Sequence, residues 1–224
     1  MNIILILAGG SGTRAGGPLP KQFRNIKGRR MVWWSVDTFK TYDPECLIIM
    51  AVRPDFLNNW EKLFGEEETA LGVNLIKVEG GYTRVDSVKN CLNYLKNNKK
   101  EILEGAKIFI HDAARPFVSD SLIRRGAEVV EEGIGAVPVI PVTDSLRKIK
   151  GDSTVTVNRS DYVAVQTPQI FMASDIMKAY DAIKAEETFT DDASVAEHSG
   201  LKIKVFPGDP INKKITNPDD FFNC

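Results

Sequence analysis

The sequence predicts an α/β fold, a mainly parallel sheet with helices on both faces, on three observations. Apolar runs of strand length recur along the chain, longer amphipathic stretches separate them, and the first run leads straight into glycines. The strand-length runs fall at 3–8, 47–52, 74–78, 107–111, 135–138 and 202–206, and runs that are apolar throughout suit strands covered on both faces. Between them, 31–41, 56–64, 84–97, 119–132 and 174–186 carry helical periodicity and mostly begin near polar capping residues. This alternation is the βαβ rhythm, which builds a parallel sheet.

Two stretches depart from that rhythm. Within 139–167, short β-like pieces at 145–149, 154–157 and 162–166 are punctuated by Gly151-Asp152 and Asn158-Arg159, the pattern of an antiparallel β-arm leaving the main sheet. At the other, the chain stops at Phe221-Phe222-Asn223-Cys224, with little sequence after the phenylalanines to bury them. The polar patches at 66–68 and 97–100 read as solvated surface. A length of 224 residues suits one domain over 1–224, with 139–167 as its excursion.

Composition narrows the partners. Hydrophobic residues at 43% and charged residues at 26% exclude a disordered chain. Lys and Arg total 29 against 30 for Asp and Glu, so no global field favours nucleic acid or a membrane surface. An anionic ligand must therefore meet a local cluster of cations. Cys46, Cys91 and Cys224 are odd in number and widely spaced, which fits free thiols in a reducing cytoplasm better than a disulfide framework or a zinc site. The apolar run at 3–8 is short for a signal-peptide core, and no segment approaches the ~20 apolar residues of a membrane span.

The strongest local signal is Leu7-Ala8-Gly9-Gly10-Ser11-Gly12-Thr13-Arg14, followed by Pro20-Lys21-Gln22. Glycines after a strand let backbone N–H groups curl around an anion, so a phosphate chain is the expected guest. A P-loop needs lysine directly after its second glycine, but Pro18 stands there after Gly17. A dinucleotide fingerprint needs GxGxxG, whereas Gly10, Gly12 and Gly16 leave one residue too many. The remaining arrangement sets Arg14 and Lys21 on either side of the loop, where fixed cations stabilise charge building on a phosphate during attack. The plainer alternative is a pair of solvated surface cations.

Further motifs follow in order: Gly80-Gly81-Tyr82-Thr83-Arg84-Val85-Asp86-Ser87-Val88, His111-Asp112-Ala113-Ala114-Arg115-Pro116-Phe117, Gln166-Thr167-Pro168-Gln169, and Lys213-Lys214-Ile215-Thr216-Asn217-Pro218. With the glycine loop and PKQF, the set resembles the sugar and polyol phosphate nucleotidyltransferases. Within them it is most similar to the polyol phosphate cytidylyltransferases that use 2-C-methyl-D-erythritol 4-phosphate in the non-mevalonate isoprenoid pathway. The likeness spans residues 3–218.

The resemblance implies a Rossmann-like nucleotidyltransferase domain that moves CMP from CTP to that polyol phosphate, with Mg²⁺ bridging phosphate oxygens. By position, Ala8, Gly9, Gly10, Gly12, Thr13, Gly80, Gly81 and Ser87 would bind CTP. Arg14 and Lys21 would face the triphosphate, while Arg159 and Lys214 would position the acceptor phosphate. Asp112 would hold the polyol hydroxyls or lie near the metal, with Arg115, Ser145 and Thr167 also at the acceptor. Relatives use the arm to embrace a second subunit, so a cytoplasmic homodimer is implied in which Ser145 and Arg159 complete the partner's site and Thr167 stays local. Tyr82 stands where many relatives carry an acidic residue, Ser145 replaces a common threonine, and the family normally continues into a helix beyond Pro218.

Plainer readings stand beside these. Gly80, Gly81 and Ser87 also suit a strand-to-helix turn with a polar cap, Asp112 and Arg115 an ion pair closing a loop, and Arg159 an ordinary hairpin arginine. Asp191 and Asp192 suit the positive N-terminus of a short helix. His111 suits a packed, hydrogen-bonded histidine, because an acceptor phosphate is already ionised and needs no general base. At the level of function, the Ala8-Gly9-Gly10 form leans towards ribitol 5-phosphate cytidylyltransferases, while the Asp112 and Asp191 motifs lean towards the isoprenoid branch. A CTP-binding paralogue without turnover is the third alternative.

Overall fold

Strand β1 (Asn2–Ala8) is buried along nearly its whole length, with Ile3, Ile4, Leu5 and Ile6 fully shielded from solvent. The computed structural model describes residues 1–10, 19–184 and 186–221. After β1 come a small hairpin of β2 (Asn25–Ile26) and β3 (Arg29–Arg30), then α1 (Met31–Tyr42), β4 (Leu47–Val52), α2 (Pro54–Leu57), α3 (Trp60–Ala70) and β5 (Leu75–Glu79). Next are α4 (Arg84–Asn98), β6 (Lys107–Asp112), α5 (Asp120–Val129) and β7 (Ile134–Pro141). The arm region holds β8 (Arg147–Lys150), β9 (Ser153–Thr156) and β10 (Val163–Val165); β11 (Gln169–Met172), α6 (Ala173–Asp181), α7 (Asp192–His198) and β12 (Lys202–Pro207) complete the order.

The main sheet runs β10-β7-β11-β6-β1-β4-β5, with β12 beside β7. β1 pairs in parallel with β4 on one side and β6 on the other, and β5 continues in parallel beyond β4. β12 is parallel to β7, whereas β11 is antiparallel to both β6 and β7. The sheet is therefore mostly parallel, and chain order reverses across β1. In open α/β sheets such a switch point opens a crevice at the carboxyl ends of the strands.

Side-chain alternation along the strands divides the core in two. Ile4, Ile6, Ile48, Met50 and Phe109 face Trp33, Val36, Phe39, Phe64 and Leu122 from α1, α3 and α5. Ile3, Leu5, Ile49, Ile108 and Ile110 face Val88, Leu92, Ile176 and Val195 from α4, α6 and α7. Both faces are covered, which is why these strands read as unbroken apolar runs. Cys46 and Cys91 are buried free thiols, and no helix among the described residues is long and apolar enough to cross a membrane.

Several boundaries differ from expectation for local reasons. The helix expected over 56–64 is two helices: Pro54 opens α2, and Asn59, whose side chain donates to the Asp55 carbonyl at 3.0 Å, separates it from α3. The polar patch at 66–68 lies inside α3 and is not simply solvated. Glu67 accepts from the Trp33 indole at 2.6 Å and pairs with Arg30, while Glu68 accepts from the Trp60 indole at 2.5 Å and pairs with Lys77. The helix expected to reach 132 stops at Val129, before a turn in which Gly133 takes φ 76°, and the one expected to reach 186 stops at Asp181.

The β8–β9 hairpin forms its own two-stranded sheet with every residue exposed, and Gly151 at φ 56° makes its turn. Arg147 fastens it by donating to Thr154 and Thr156 across the ladder. β10 returns the chain to the main sheet by pairing with β7.

Candidate active site

At the carboxyl ends of β1, β5 and β6 lies a cleft of about 320 Å³. Its floor is nearly free of side chains. A Cβ on Gly9 would sit 3.2 Å from Ser87 Oγ and 3.4 Å from the Gly80 Cα, and one on Gly81 would sit 2.1 Å from the Asp86 Cβ. Glycine is thus required where the turns approach one another. The Gly80 N–H donates to the Val52 carbonyl at 2.7 Å, and buried Gln22 holds the end of β1 by donating to the carbonyls of Ala8 and Gly10 at 2.7 and 2.9 Å.

Ser87 lines this floor, but its hydroxyl is already engaged: it accepts from Gly81 N–H at 3.1 Å and donates to the Thr83 carbonyl at 3.0 Å. Thr83 is the true cap of α4, in a capping box with Asp86. Ser87 therefore sets the shape of the Gly80-Gly81 turn as well as bordering the cleft.

One wall is built around Asp112, the last residue of β6. Lys214 Nζ lies 2.7 Å from its carboxylate, Arg84 Nε 3.4 Å and Arg115 Nε 4.0 Å. Burial pushes the carboxyl pKa up, but the charges of Arg84, Lys214 and Arg115 outweigh it and hold Asp112 well below the ordinary carboxylate range. Arg84 is itself anchored: its guanidinium grips fully buried Asp192 through two hydrogen bonds of 2.8 and 2.6 Å, and the Tyr180 hydroxyl donates to the same carboxylate at 2.6 Å. Lys21 also lines the cleft, its ammonium donating to the Ile215 carbonyl at 2.6 Å, so Lys21 and the Lys214 loop are tied together. Asp220 closes that loop by accepting from the N–H groups of Thr216 and Asn217 and pairing with Lys213.

His111 is fully buried behind this wall. Its ring meets the Arg115 carbonyl at 3.0 Å and the Thr167 hydroxyl at 3.1 Å, and burial pushes its pKa down to about 4. It is neutral near pH 7 and packed, as the sequence suggested.

The expected site residues divide into groups. Gly9, Gly10, Gly81, Ser87, Lys21, Asp112 and Lys214 line one cleft, and Ala8 and Gly80 lie directly beneath it. Gly12, Thr13 and Arg14 lie outside the described residues, as does Cys224. Thr167, expected at the acceptor, stands behind the wall and accepts from the Asp112 N–H at 3.1 Å. Arg115 is not among the residues lining the cleft; its guanidinium donates to the carbonyls of Asn212 and Val165 at 2.8 and 3.2 Å, and the Asn212 carbonyl also accepts from the Gln166 side chain at 3.3 Å. Ser145 and Arg159 lie in the exposed arm region, where Arg159 donates to the Thr143 carbonyl, and neither lines the cleft of its own chain.

Three cleft features escaped sequence reasoning. Arg84 looked like the start of a helix, Gln22 carried no role, and Asp192 looked like a cap. Asp191 does cap α7, in a capping box with Ser194. Asp192 is then one acid more than the cap requires, and a second acid that is buried needs a cation. That surplus was the available signal for Arg84.

A glycine floor at the switch point of a mostly parallel sheet, faced by Lys21 and Lys214, defines a mixed α/β nucleotidyltransferase-type domain. The model of the family described as IspD, 2-C-methyl-D-erythritol 4-phosphate cytidylyltransferase, matches residues 2–224, and the chain belongs to that family. It is 35% identical over 217 residues to a protein of that name from Bacteroides thetaiotaomicron, covering 97% of this chain and 94% of that protein. A bifunctional IspD/IspF enzyme from Solidesulfovibrio magneticus is 38% identical over 223 residues, which are 96% of this chain and 54% of that longer protein. Among solved structures, the 2-C-methyl-D-erythritol 4-phosphate cytidylyltransferase of Thermus thermophilus superposes with a TM-score of 0.71 at 27% identity, covering 100% of this chain and 97% of that one. The 4-diphosphocytidyl-2C-methyl-D-erythritol synthase of Anaerococcus prevotii gives 0.79 at 25% identity, covering 99% and 95%.

Proposed function

We propose that this chain carries out the reaction its family is named for: transfer of CMP from CTP to 2-C-methyl-D-erythritol 4-phosphate, with release of pyrophosphate and formation of the CDP-linked polyol. The observation that carries it is the convergence of Lys21, Lys214 and the Asp112 web on one glycine-floored cleft. A phosphate oxygen of the acceptor attacks the α-phosphorus in line, the bond to the bridging oxygen breaks, and pyrophosphate leaves. Both reactants are anions, so the protein's task is alignment and charge compensation. Lys21, with Arg14 by its place in the motif, faces the triphosphate, and Lys214 faces the acceptor phosphate. No base is needed, and neutral His111, with both ring nitrogens engaged, supplies none.

The donor set fits Mg²⁺ only as an ion held mainly by phosphate oxygens and water. Among the described residues, Asp112 is the one carboxylate lining the cleft, and no group of three metal-ligating side chains occurs. When bound, Mg²⁺ would supply neutralisation of phosphate charge, and Asp112, kept ionised by its cations, would be its protein ligand or the acceptor of polyol hydroxyls.

Ser145 and Arg159 are exposed and do not line their own cleft, which supports their assignment to the acceptor site of a partner in a homodimer. Thr167 and Arg115 act locally by fixing the Asp112 loop. A cytoplasmic setting fits the buried free thiols, and the balanced net charge supplies no field towards nucleic acid or a membrane surface. Pyrophosphate release assayed with CTP and either polyol phosphate tests the function. Release with 2-C-methyl-D-erythritol 4-phosphate is expected; release only with ribitol 5-phosphate, or CTP binding without release, would replace it with one of the alternatives.

A further inference from the structure

Tyr82 stands apart from every other large apolar side chain among the described residues. It is wholly exposed, at 108% of the reference accessibility, yet it lines the mouth of the cleft. No hydrogen-bond or ring partner for it occurs among the described residues. Its backbone is nevertheless held on both sides: the Gly81 N–H donates to Ser87 Oγ at 3.1 Å, and the Thr83 N–H donates to Asp86 Oδ2 at 3.0 Å. The turn is fixed and the ring alone is free to swing about its side-chain bonds.

Beneath it, Gly9 and Gly80 approach so closely that a Cβ on Gly80 would sit 3.1 Å from the Gly9 Cα. A flat ring laid on that floor has one face against peptide backbone, and among the described residues only Tyr82 offers an aromatic surface to the other. Among the described residues lining the cleft, Tyr82 is the only aromatic one, and an aromatic ring is the side chain best suited to cover a base's π-face. We infer that Tyr82 closes over the cytosine of bound CTP, stacking on the face that the glycine floor leaves open. The inference rests on the cytidylyl-transfer function proposed above and names a nucleotide-binding residue that the acidic residue common at this position would not replace. Because stacking acts equally on substrate and transition state, its loss falls on nucleotide affinity.

The test combines CTP dissociation constants from calorimetry with steady-state kinetics. Tyr82→Ala and Tyr82→Leu are expected to raise Kd and KM for CTP about tenfold, in line with the loss of one base–aromatic stack. The effect falls on KM rather than kcat, and the KM for the polyol phosphate and the thermal midpoint stay put, since the ring buries nothing in the free protein. Tyr82→Phe and Tyr82→Trp are expected to restore the wild-type values. An unchanged CTP Kd in Tyr82→Ala, or a loss in Tyr82→Phe as large as in Tyr82→Ala, overturns the stacking role. Failure of the wild type to turn over CTP with the polyol phosphate would instead overturn the proposed function, while the dissociation constants still decide the role of Tyr82.

Discussion

The Asp112 wall and the β8–β9 arm hold cationic and hydroxyl residues of similar kind, but in opposite settings. Around Asp112, the side chains of Arg84, Arg115, Thr167, His111 and Asp192 each have partners fixed by geometry, and most are buried. In β8 and β9 every residue is exposed. In the wall, one residue's position depends on the next, so a substitution there disturbs both fold and chemistry. On the arm, a substitution leaves the chain's fold alone and acts only through whatever the arm touches.

The largest effect should come from the cleft itself. Lys21→Ala removes the cation we assign to developing phosphate charge and is expected to lower kcat by about 10² to 10³, measured by product formation at saturating substrates. Near-normal turnover would remove Lys21 from the chemistry. Next, Arg84→Ala leaves Asp192 buried without its cation and should cost about 3 kcal/mol in urea unfolding. A loss well under 1 kcal/mol would show the wall to be as loosely coupled as the arm.

His111 gives the wall a pH signature. Burial, opposed by the hydrogen bond to the Arg115 carbonyl and by nearby Asp112 and assisted by the Arg115 charge, keeps the folded pKa at about 4 against an ordinary 6.5. The folded state therefore refuses a proton that the unfolded chain accepts. The stability from this group is complete above pH 6.5 and is lost as pH falls towards 4, by up to about 3 kcal/mol. Urea midpoints between pH 7.5 and 5 should fall for the wild type and flatten for His111→Asn; parallel curves would contradict the assignment. At the small end, Arg159→Ala should change unfolding stability by less than about 0.5 kcal/mol, as a surface change does.

The sequence carried the scaffold well, because β1, β4 and β6 are buried on both faces and so appear as unbroken apolar runs. It hid β11, whose four residues lie against the Gln166-Thr167-Pro168-Gln169 motif and are too few to show a period. The glycine floor, Lys21, Asp112 and Lys214 were legible because each sits in a short motif. Arg84 and Asp192 were not, since they meet across 108 positions and no local spacing records such a pair. Glu67 and Glu68 were misplaced for the same reason: their partners Trp33 and Trp60 lie on other turns or helices. Arg115 and Thr167 sit beside Asp112 as their motifs place them, and the bonds that hold them there, to the Asn212 and Val165 carbonyls and from the Asp112 N–H, join positions too far apart for any local spacing to record.

The most direct test of the proposed dimer, in which a partner's arm would serve each fixed cleft, is complementation between two variants expected to be inactive. Lys21→Ala damages the cleft and Arg159→Ala the arm. In a mixed dimer the Arg159→Ala chain supplies an intact cleft and the Lys21→Ala chain an intact arm, so one wild-type site is rebuilt. Unfolding and refolding the two together should recover about one quarter of wild-type product formation with CTP and 2-C-methyl-D-erythritol 4-phosphate, since half the dimers are mixed and each carries one good site. Activity no greater than the average of the separate variants would contradict the account.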